Sequence, residues 1–163
     1  MNASEKEKTE RERTVFEEFA NVANLDLELS SVRNESPPDL PDISCNITGS
    51  RHYFELAEIT DQDLARNISI TLTTMRSMGG ALSHTEPLLH VFQSKASKRY
   101  DGVDGPLELL VYYDKQVAPY FDLAFIPANV RLLANAMLTS GPWNRVWVFD
   151  RSEKRILWKH EVE

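Results

Sequence analysis

Residues 41–59 read PDISCNITGSRHYFELAEI, and this stretch decides the fold that the sequence predicts. Residues 43–47 and 51–59 have the patterns of two short strands. Between them lies Thr48-Gly49-Ser50, a polar segment that favours a tight reversal of the chain. Three prolines within residues 35–42 exclude a helix before the first strand, because proline fixes φ and lacks an N–H donor. The sequence therefore predicts a β-hairpin here.

The segments around the hairpin alternate between helical and strand patterns. Apolar residues from 14 to 23 recur every three or four positions, which is typical of an amphipathic helix. Leu25, Leu27 and Leu29 then alternate with polar residues, which predicts a strand with one buried face. Further on, the patterns predict helices near 64–75, 86–99 and 129–138, a buried strand at 108–113, and a closing hairpin from 145–149 and 155–158.

The predicted order of elements is α-β-β-β-α-α-β-α-β-β. The fold class is α/β, with one domain over residues 14–163. Its α-β-β-β-α-β core is a mixed central sheet flanked by helices, and an additional C-terminal helix and β-hairpin follow that core. Residues 1–13 are almost wholly polar, so we expect a tail or the frayed start of the first helix.

Composition excludes several classes of function. The chain has 163 residues and a formal net charge of -7, so it does not bind nucleic acid by bulk positive charge. A single cysteine, Cys45, excludes an internal disulfide and a thiolate zinc site, and the four histidines lack metal-binding spacing. No apolar run is long enough to span a membrane and the N-terminus is not a signal peptide, so we expect a cytoplasmic protein with no membrane partner.

Two carboxylates of the hairpin carry the functional prediction. Asp42 precedes the first strand and Glu55 lies inside the second, so antiparallel pairing brings them together. Two converging carboxylates are costly unless a cation neutralises them, and hard oxygen ligands suit Mg²⁺ or Mn²⁺. Asp39 is a rival for Asp42, since Pro38-Asp39 repeats the dipeptide, but Asp42 adjoins the predicted strand.

Pro41-Asp42 followed by Glu55-Leu56-Ala57 resembles the PD-(D/E)XK, or restriction-endonuclease-like, nuclease superfamily, in which these motifs lie on a hairpin and bind divalent metal. The predicted order of elements over residues 14–113, roughly two thirds of the chain, is similar to that superfamily's core. The sequence departs from the motif at Ala57, where the superfamily has lysine. A missing lysine is often supplied by the neighbouring helix, and Lys95, followed by Lys98, is the candidate here.

The resemblance implies metal-assisted hydrolysis of phosphodiester bonds in DNA or RNA. Asp42 and Glu55 would hold Mg²⁺ or Mn²⁺, helped by the Leu56 carbonyl, and Lys95 or Lys98 would stabilise negative charge on the phosphate. Supporting candidates for the ligand set are Glu58 and Glu18, although Glu58 is expected on the opposite face of its strand from Glu55.

Two other interpretations stay open on the sequence alone. The first is a nuclease-fold protein with a degraded site, acting as a binding or inhibitory module, which Ala57 and the acidic charge favour. The second is an α/β interaction module with a chance motif, in which Asp42 is a turn residue, Glu55 faces solvent and the stem of Lys95 covers an apolar face. An active nuclease of this length would need a homodimer or a protein partner to gain sequence specificity.

Overall fold

The computed structural model describes residues 3–35, 40–59, 86–114, 126 and 128–161. Three helices and six strands lie in these ranges: α1 (Ala3–Val22), β1 (Leu27–Asn34), β2 (Ile43–Ile47), β3 (Ser50–Ile59), α2 (Glu86–Ala96), β4 (Leu107–Tyr113), α3 (Ala128–Ser140), β5 (Arg145–Asp150) and β6 (Arg155–Glu161). The predicted helix at 64–75 and the rival carboxylate Asp39 lie outside the described residues.

The six strands form one mixed sheet in the order β1-β2-β3-β4-β5-β6. Strands β1, β2 and β3 pair antiparallel, β3, β4 and β5 pair parallel, and β6 returns antiparallel to β5. Two parallel neighbours need a crossover connection, and α2 and α3 lie in the two crossovers. The α/β class, the single mixed sheet and the closing hairpin are therefore confirmed.

The hairpin of β2 and β3 has the predicted position and a two-residue turn. Cys45 pairs with His52 and Ile47 with Ser50, so Ser50 belongs to the strand and not to the turn. Thr48 and Gly49 both have positive φ, at 50° and 76°. Two such residues in succession give the reversal whose twist matches that of paired strands.

Each face of the sheet has its own apolar core. On one face, which we call the α1 face, Phe16 and Phe19 of α1 pack against the sheet. The Phe19 ring lies 5.1 Å from Trp147 and 6.1 Å from Phe54, centroid to centroid, and both contacts are edge-on. On the other face, the α2 face, Leu88 and other apolar residues of α2 and α3 cover β3, β4 and β5. Alternation along β3 therefore decides which helix each side chain meets.

The prediction for the first strand is wrong in part. Strand β1 begins at Leu27 and continues to Asn34, and the Leu29 side chain is 61% exposed. The buried residue of this strand is Val32, because the pairing with β2 shifts register between Glu28 and Arg33. Such an irregularity changes which side chains face the core, so the simple alternation of leucines does not report the buried face.

The helix boundaries agree with the predicted ones in part. Helix α1 begins at Ala3, so residues 3–13 form the polar start of this helix, which was one of the two alternatives, and ion pairs four residues apart, such as Arg13 with Glu17 at 2.8 Å, support it. Helix α2 ends at Ala96, before Lys98. No helix among the described residues is long and apolar enough to cross a bilayer. Cys45 is fully buried.

Candidate active site

The start of β2 positions the first carboxylate. Ile43, the first residue of β2, pairs with Phe54, so the amide of Leu56 lies beyond the end of that ladder. The Asp42 carboxylate takes this place, and its Oδ2 accepts a hydrogen bond from the Leu56 N–H at 2.8 Å. Asp42 is buried, and continuing the register places it opposite Glu55. The two predicted carboxylates therefore meet where β2 begins.

Glu55 lies on the α2 face of β3, with its side chain only 4% exposed. Its Oε1 accepts hydrogen bonds from the Nζ atoms of Lys95 and Lys98, each at 2.6 Å. Lys98 lies two residues beyond the end of α2, and its backbone N–H donates to the Lys95 carbonyl at 3.1 Å. Both lysines named from the sequence therefore reach Glu55, which satisfies a buried carboxylate with two ammonium groups.

The two carboxylates have opposite pKa shifts. Burial, together with the charge of Glu55, raises the pKa of Asp42 to about 6, although the Leu56 N–H and Lys95 act in the other direction. Burial also opposes ionisation of Glu55, but the charge and hydrogen bond of Lys95, with help from Lys98, outweigh it and lower its pKa. The site thus holds one firmly ionised carboxylate beside one that binds a proton near neutrality.

Tyr100 is a further polar group beside Glu55. Its hydroxyl is buried and makes no hydrogen bond of good geometry within the part of the chain that the structure describes. Burial, and to a smaller extent the nearby Glu55, raises the pKa of the Tyr100 hydroxyl. The hydroxyl in turn helps to lower the pKa of Glu55. The Lys98 Nζ lies 5.5 Å from the centre of the Tyr100 ring, a cation–π distance.

Glu12 is a third carboxylate near this site, and the sequence analysis missed it. Its charge also raises the pKa of Asp42, and its side chain is mostly buried, with Lys8 Nζ at 3.3 Å. The periodicity contained the signal, because Glu12 precedes the buried Phe16 by four residues and Phe19 by seven. An acidic residue on the buried stripe of α1, such as Glu12, is a better candidate for the site than Glu18, which lies off that stripe.

The structure places both supporting candidates away from Glu55. Glu58 points to the α1 face, where its Oε2 lies 3.0 Å from Arg11, so the expectation of opposite faces is correct. Glu18 is held by Arg151, whose Nε and Nη2 donate to its two carboxylate oxygens at 2.7 and 3.2 Å. Both carboxylates fasten α1 to its surroundings.

A second buried carboxylate, Glu108 on β4, lies on the α1 face with a separate set of partners. Trp147 Nε1 donates to it at 2.6 Å, His52 Nδ1 lies at 3.0 Å, and Arg145 Nη1 lies 3.4 Å from both oxygens. No signal in the sequence joins these residues, which come from three strands. Cys45 lies near this group, and burial, with the Glu108 charge, raises the pKa of its thiol to about 12. The thiol is therefore unreactive, and the group ties β3, β4 and β5 together.

The donor set around Asp42 and Glu55 fits a hard divalent cation. Burial, and after it the charge of Glu55, raises the pKa of Asp42, and a bound cation would offset both effects. Within residues 3–35, 40–59, 86–114 and 128–161, no group of three or more His, Cys, Asp or Glu side chains forms a complete ligand cage. Mg²⁺ usually keeps several waters and takes only one or two carboxylates, so this donor set suits Mg²⁺ or Mn²⁺ better than zinc.

Comparison with known proteins found no match: no family model, no curated protein and no solved structure is similar to the chain.

Proposed function

We propose that this protein is a metal-dependent nuclease that hydrolyses phosphodiester bonds of DNA or RNA. The observation that carries the proposal is the meeting of Asp42, Glu55 and Lys95 at one point of the sheet, where β2 begins and the end of α2 passes over β3. Two acidic side chains and one ammonium group from separate elements make the combination that phosphodiester hydrolysis uses.

The acidic residues would hold the cation. Asp42 and Glu55 each have an oxygen that would bind Mg²⁺ or Mn²⁺, with the Leu56 carbonyl as a third donor, and Glu12 adds negative charge nearby. The bound ion would supply an activated water and offset negative charge on the phosphate. The Leu56 N–H orients Asp42 through its 2.8 Å hydrogen bond, so this carboxylate is held in place before any ligand arrives.

Lys95 takes the role that Ala57 leaves open. Its side chain is 18% exposed and its ammonium is fixed by Glu55, so it presents positive charge beside the carboxylates. A fixed cation next to the phosphate would stabilise the negative charge that grows on the phosphate oxygens. Ala57 points to the same α2 face as Glu55, two residues further along β3, and has no group that could do this.

The arrangement of the sheet also supports the proposal. Three antiparallel strands followed by a helix and a parallel strand are the core that the nuclease resemblance implies. The net charge of -7 does not oppose it, because the basic groups are local: Lys95, Lys98 and Arg99 follow one another within five residues at the rim of the site. Such a small basic patch would bind the phosphate backbone with low sequence preference.

A second candidate is a nuclease-fold binding protein without catalysis. It is favoured by the fact that both carboxylates already have partners within the protein. Glu55 accepts from two lysines, and Asp42 accepts from the Leu56 amide. This protein would bind nucleic acid or a nuclease partner and would need no cation. The two candidates differ in one measurable property, which is turnover.

We expect the purified protein to cut labelled DNA or RNA in the presence of Mg²⁺ or Mn²⁺, and to leave both intact in EDTA. Single-stranded and duplex DNA and RNA of mixed sequence are incubated with the protein, and products are resolved on denaturing gels. We expect the ion to be needed because a bound divalent cation both activates its water and offsets negative charge on the phosphate. Binding of nucleic acid without cleavage under every ion would favour the second candidate, and cleavage in EDTA would contradict the metal-dependent one.

A further inference from the structure

The unusual feature of the site is that two ammonium groups share one carboxylate oxygen. Lys95 and Lys98 both lie 2.6 Å from Glu55 Oε1. A divalent cation on Glu55 would bring a third positive centre to this carboxylate. A carboxylate has enough lone pairs for several partners, but like charges so close together repel strongly in a buried setting. Departure of one lysine would relieve this repulsion when the cation binds.

The surroundings of the two lysines indicate which one moves. Lys95 belongs to α2, its side chain is 18% exposed and pairs with Glu55, and its charge also favours ionisation of Asp42. Lys98 lies beyond the last residue of α2, and its side chain is 42% exposed. Its ammonium also lies 5.5 Å from the centre of the Tyr100 ring, so Glu55 is not its only favourable neighbour. Lys98 can therefore leave Glu55 at low cost, and Lys95 cannot.

A phosphate is the partner that would draw Lys98 outwards. Arg99, the next residue, is exposed, and its Nη1 donates to the carbonyls of Ala96 and Lys98 at 3.2 and 2.8 Å. The two neighbouring cations at the rim form a point of contact for the backbone of a nucleic acid. A lysine that moves from Glu55 to a phosphate frees the carboxylate for a cation.

We propose that Lys98 is an exchangeable cation of the site: it neutralises Glu55 until a nucleic-acid phosphate and a divalent ion bind, and its release links these two binding events. The inference rests on the proposed function, because it requires that Glu55 binds a divalent ion. It separates the roles of the two lysines. Lys95 stays at the carboxylates, and Lys98 competes with the ion for Glu55 and then contacts the substrate.

The test is the affinity of the protein for Mn²⁺ alone, measured by calorimetry with no nucleic acid present. Lys98→Met keeps the apolar stem and removes the ammonium, so we expect it to bind Mn²⁺ about tenfold more tightly than the wild type. The same variant should bind a single-stranded oligonucleotide more weakly, which is measured in EDTA. Arg99→Gln is the matched control, since it removes a neighbouring charge without touching Glu55. It should weaken oligonucleotide binding and leave the Mn²⁺ affinity unchanged.

The outcomes separate this inference from the proposed function. Equal Mn²⁺ affinity in the wild type and Lys98→Met would overturn the exchange and leave the metal site standing. A tenfold gain in both Lys98→Met and Arg99→Gln would overturn it too, because the effect would then be general electrostatics. Absence of Mn²⁺ binding in every protein would overturn the metal site itself. Since Lys98 is partly exposed and Lys95 still pairs with Glu55, the variants should stay folded at the temperature of the assay, which thermal unfolding checks.

Discussion

Asp42→Asn is expected to abolish metal-dependent cleavage and, at the same time, to make the protein more stable at neutral pH. Loss of a group that merely supports a metal ligand costs 10–100-fold in affinity or activity, so loss of the ligand itself should lower the cleavage rate by more than about 100-fold. The asparagine side chain has the same shape, and its amide oxygen can still accept from the Leu56 N–H. The loss of activity would therefore follow from the lost charge.

The gain in stability follows from the sign of the pKa shift. The pKa of Asp42 is about 6 in the folded protein, above the value of about 3.9 for an unfolded chain, so the folded state binds more protons between these values. The free energy of unfolding therefore falls as the pH rises from about 4 to 6. Above about pH 6, the folded protein carries the full cost of an ionised, buried Asp42. Asp42→Asn removes the penalty, which is about 1–3 kcal/mol at pH 7. Urea unfolding at pH 4 and at pH 7 should show the gain only at the higher pH.

Glu58→Gln is the control for this prediction. Glu58 lies on the same strand as Glu55 but on the opposite face, where it pairs with Arg11. Its replacement should leave cleavage close to the wild-type rate, because this carboxylate does not face the site. Equal loss of activity in Asp42→Asn and Glu58→Gln would mean that cleavage responds to total negative charge and not to the position of Asp42. Retained activity in Asp42→Asn would mean that the catalytic site lies elsewhere in the protein.

Glu108→Gln is expected to destabilise the protein by about 1–3 kcal/mol, because it leaves polar groups unsatisfied in a buried cluster. Glu108 is 2% exposed and receives Trp147 Nε1 at 2.6 Å, with Arg145 and His52 beside it. A glutamine can accept from Trp147, but its NH₂ group would face other donors, and Arg145 would keep only its exposed partner Glu161. Urea unfolding at neutral pH measures the difference.

Glu161→Gln provides the matched comparison. Glu161 pairs with the same Arg145, at 2.5 Å, but its side chain is 39% exposed. Exposed ion pairs contribute about 0–1 kcal/mol, so this variant should lose less than about 1 kcal/mol. If the two variants lost equal stability, the depth of Glu108 would have no energetic consequence, and the group around it would be no more than a surface network.

The parts of the fold that the sequence predicted depend on local patterns. The hairpin over residues 43–59 follows from two short strand patterns with the polar segment Thr48-Gly49-Ser50 between them, and the buried strand β4 follows from an apolar run. Lys95 was found because its spacing from Leu88 and Phe92 put it on the buried side of α2. In each case, the residues that form the pattern lie close together in the sequence, within two turns of a helix or within one pair of strands.

The features that were missed depend on contacts between distant segments. The exposure of Leu29 depends on the irregular pairing of β1 with β2, which the alternation of leucines does not show. Glu108 stood in an apolar run, but its partners lie 37 to 56 residues away, so no local pattern joined them. Glu12 lay on the stripe of α1, and only the packing of that helix brings it towards Asp42. These features therefore required the structure.

The position of Mn²⁺ in crystals soaked with that ion tests the central claim most directly, because its anomalous scattering identifies the ion without reference to activity. The account predicts a peak about 2.1 Å from one carboxylate oxygen of Asp42 and one of Glu55, with waters completing the shell. The same soak of Asp42→Asn should lose the peak. A peak at other carboxylates would contradict the account. So would the absence of any peak in crystals where Asp42 keeps its hydrogen bond to Leu56 and Glu55 keeps both lysines.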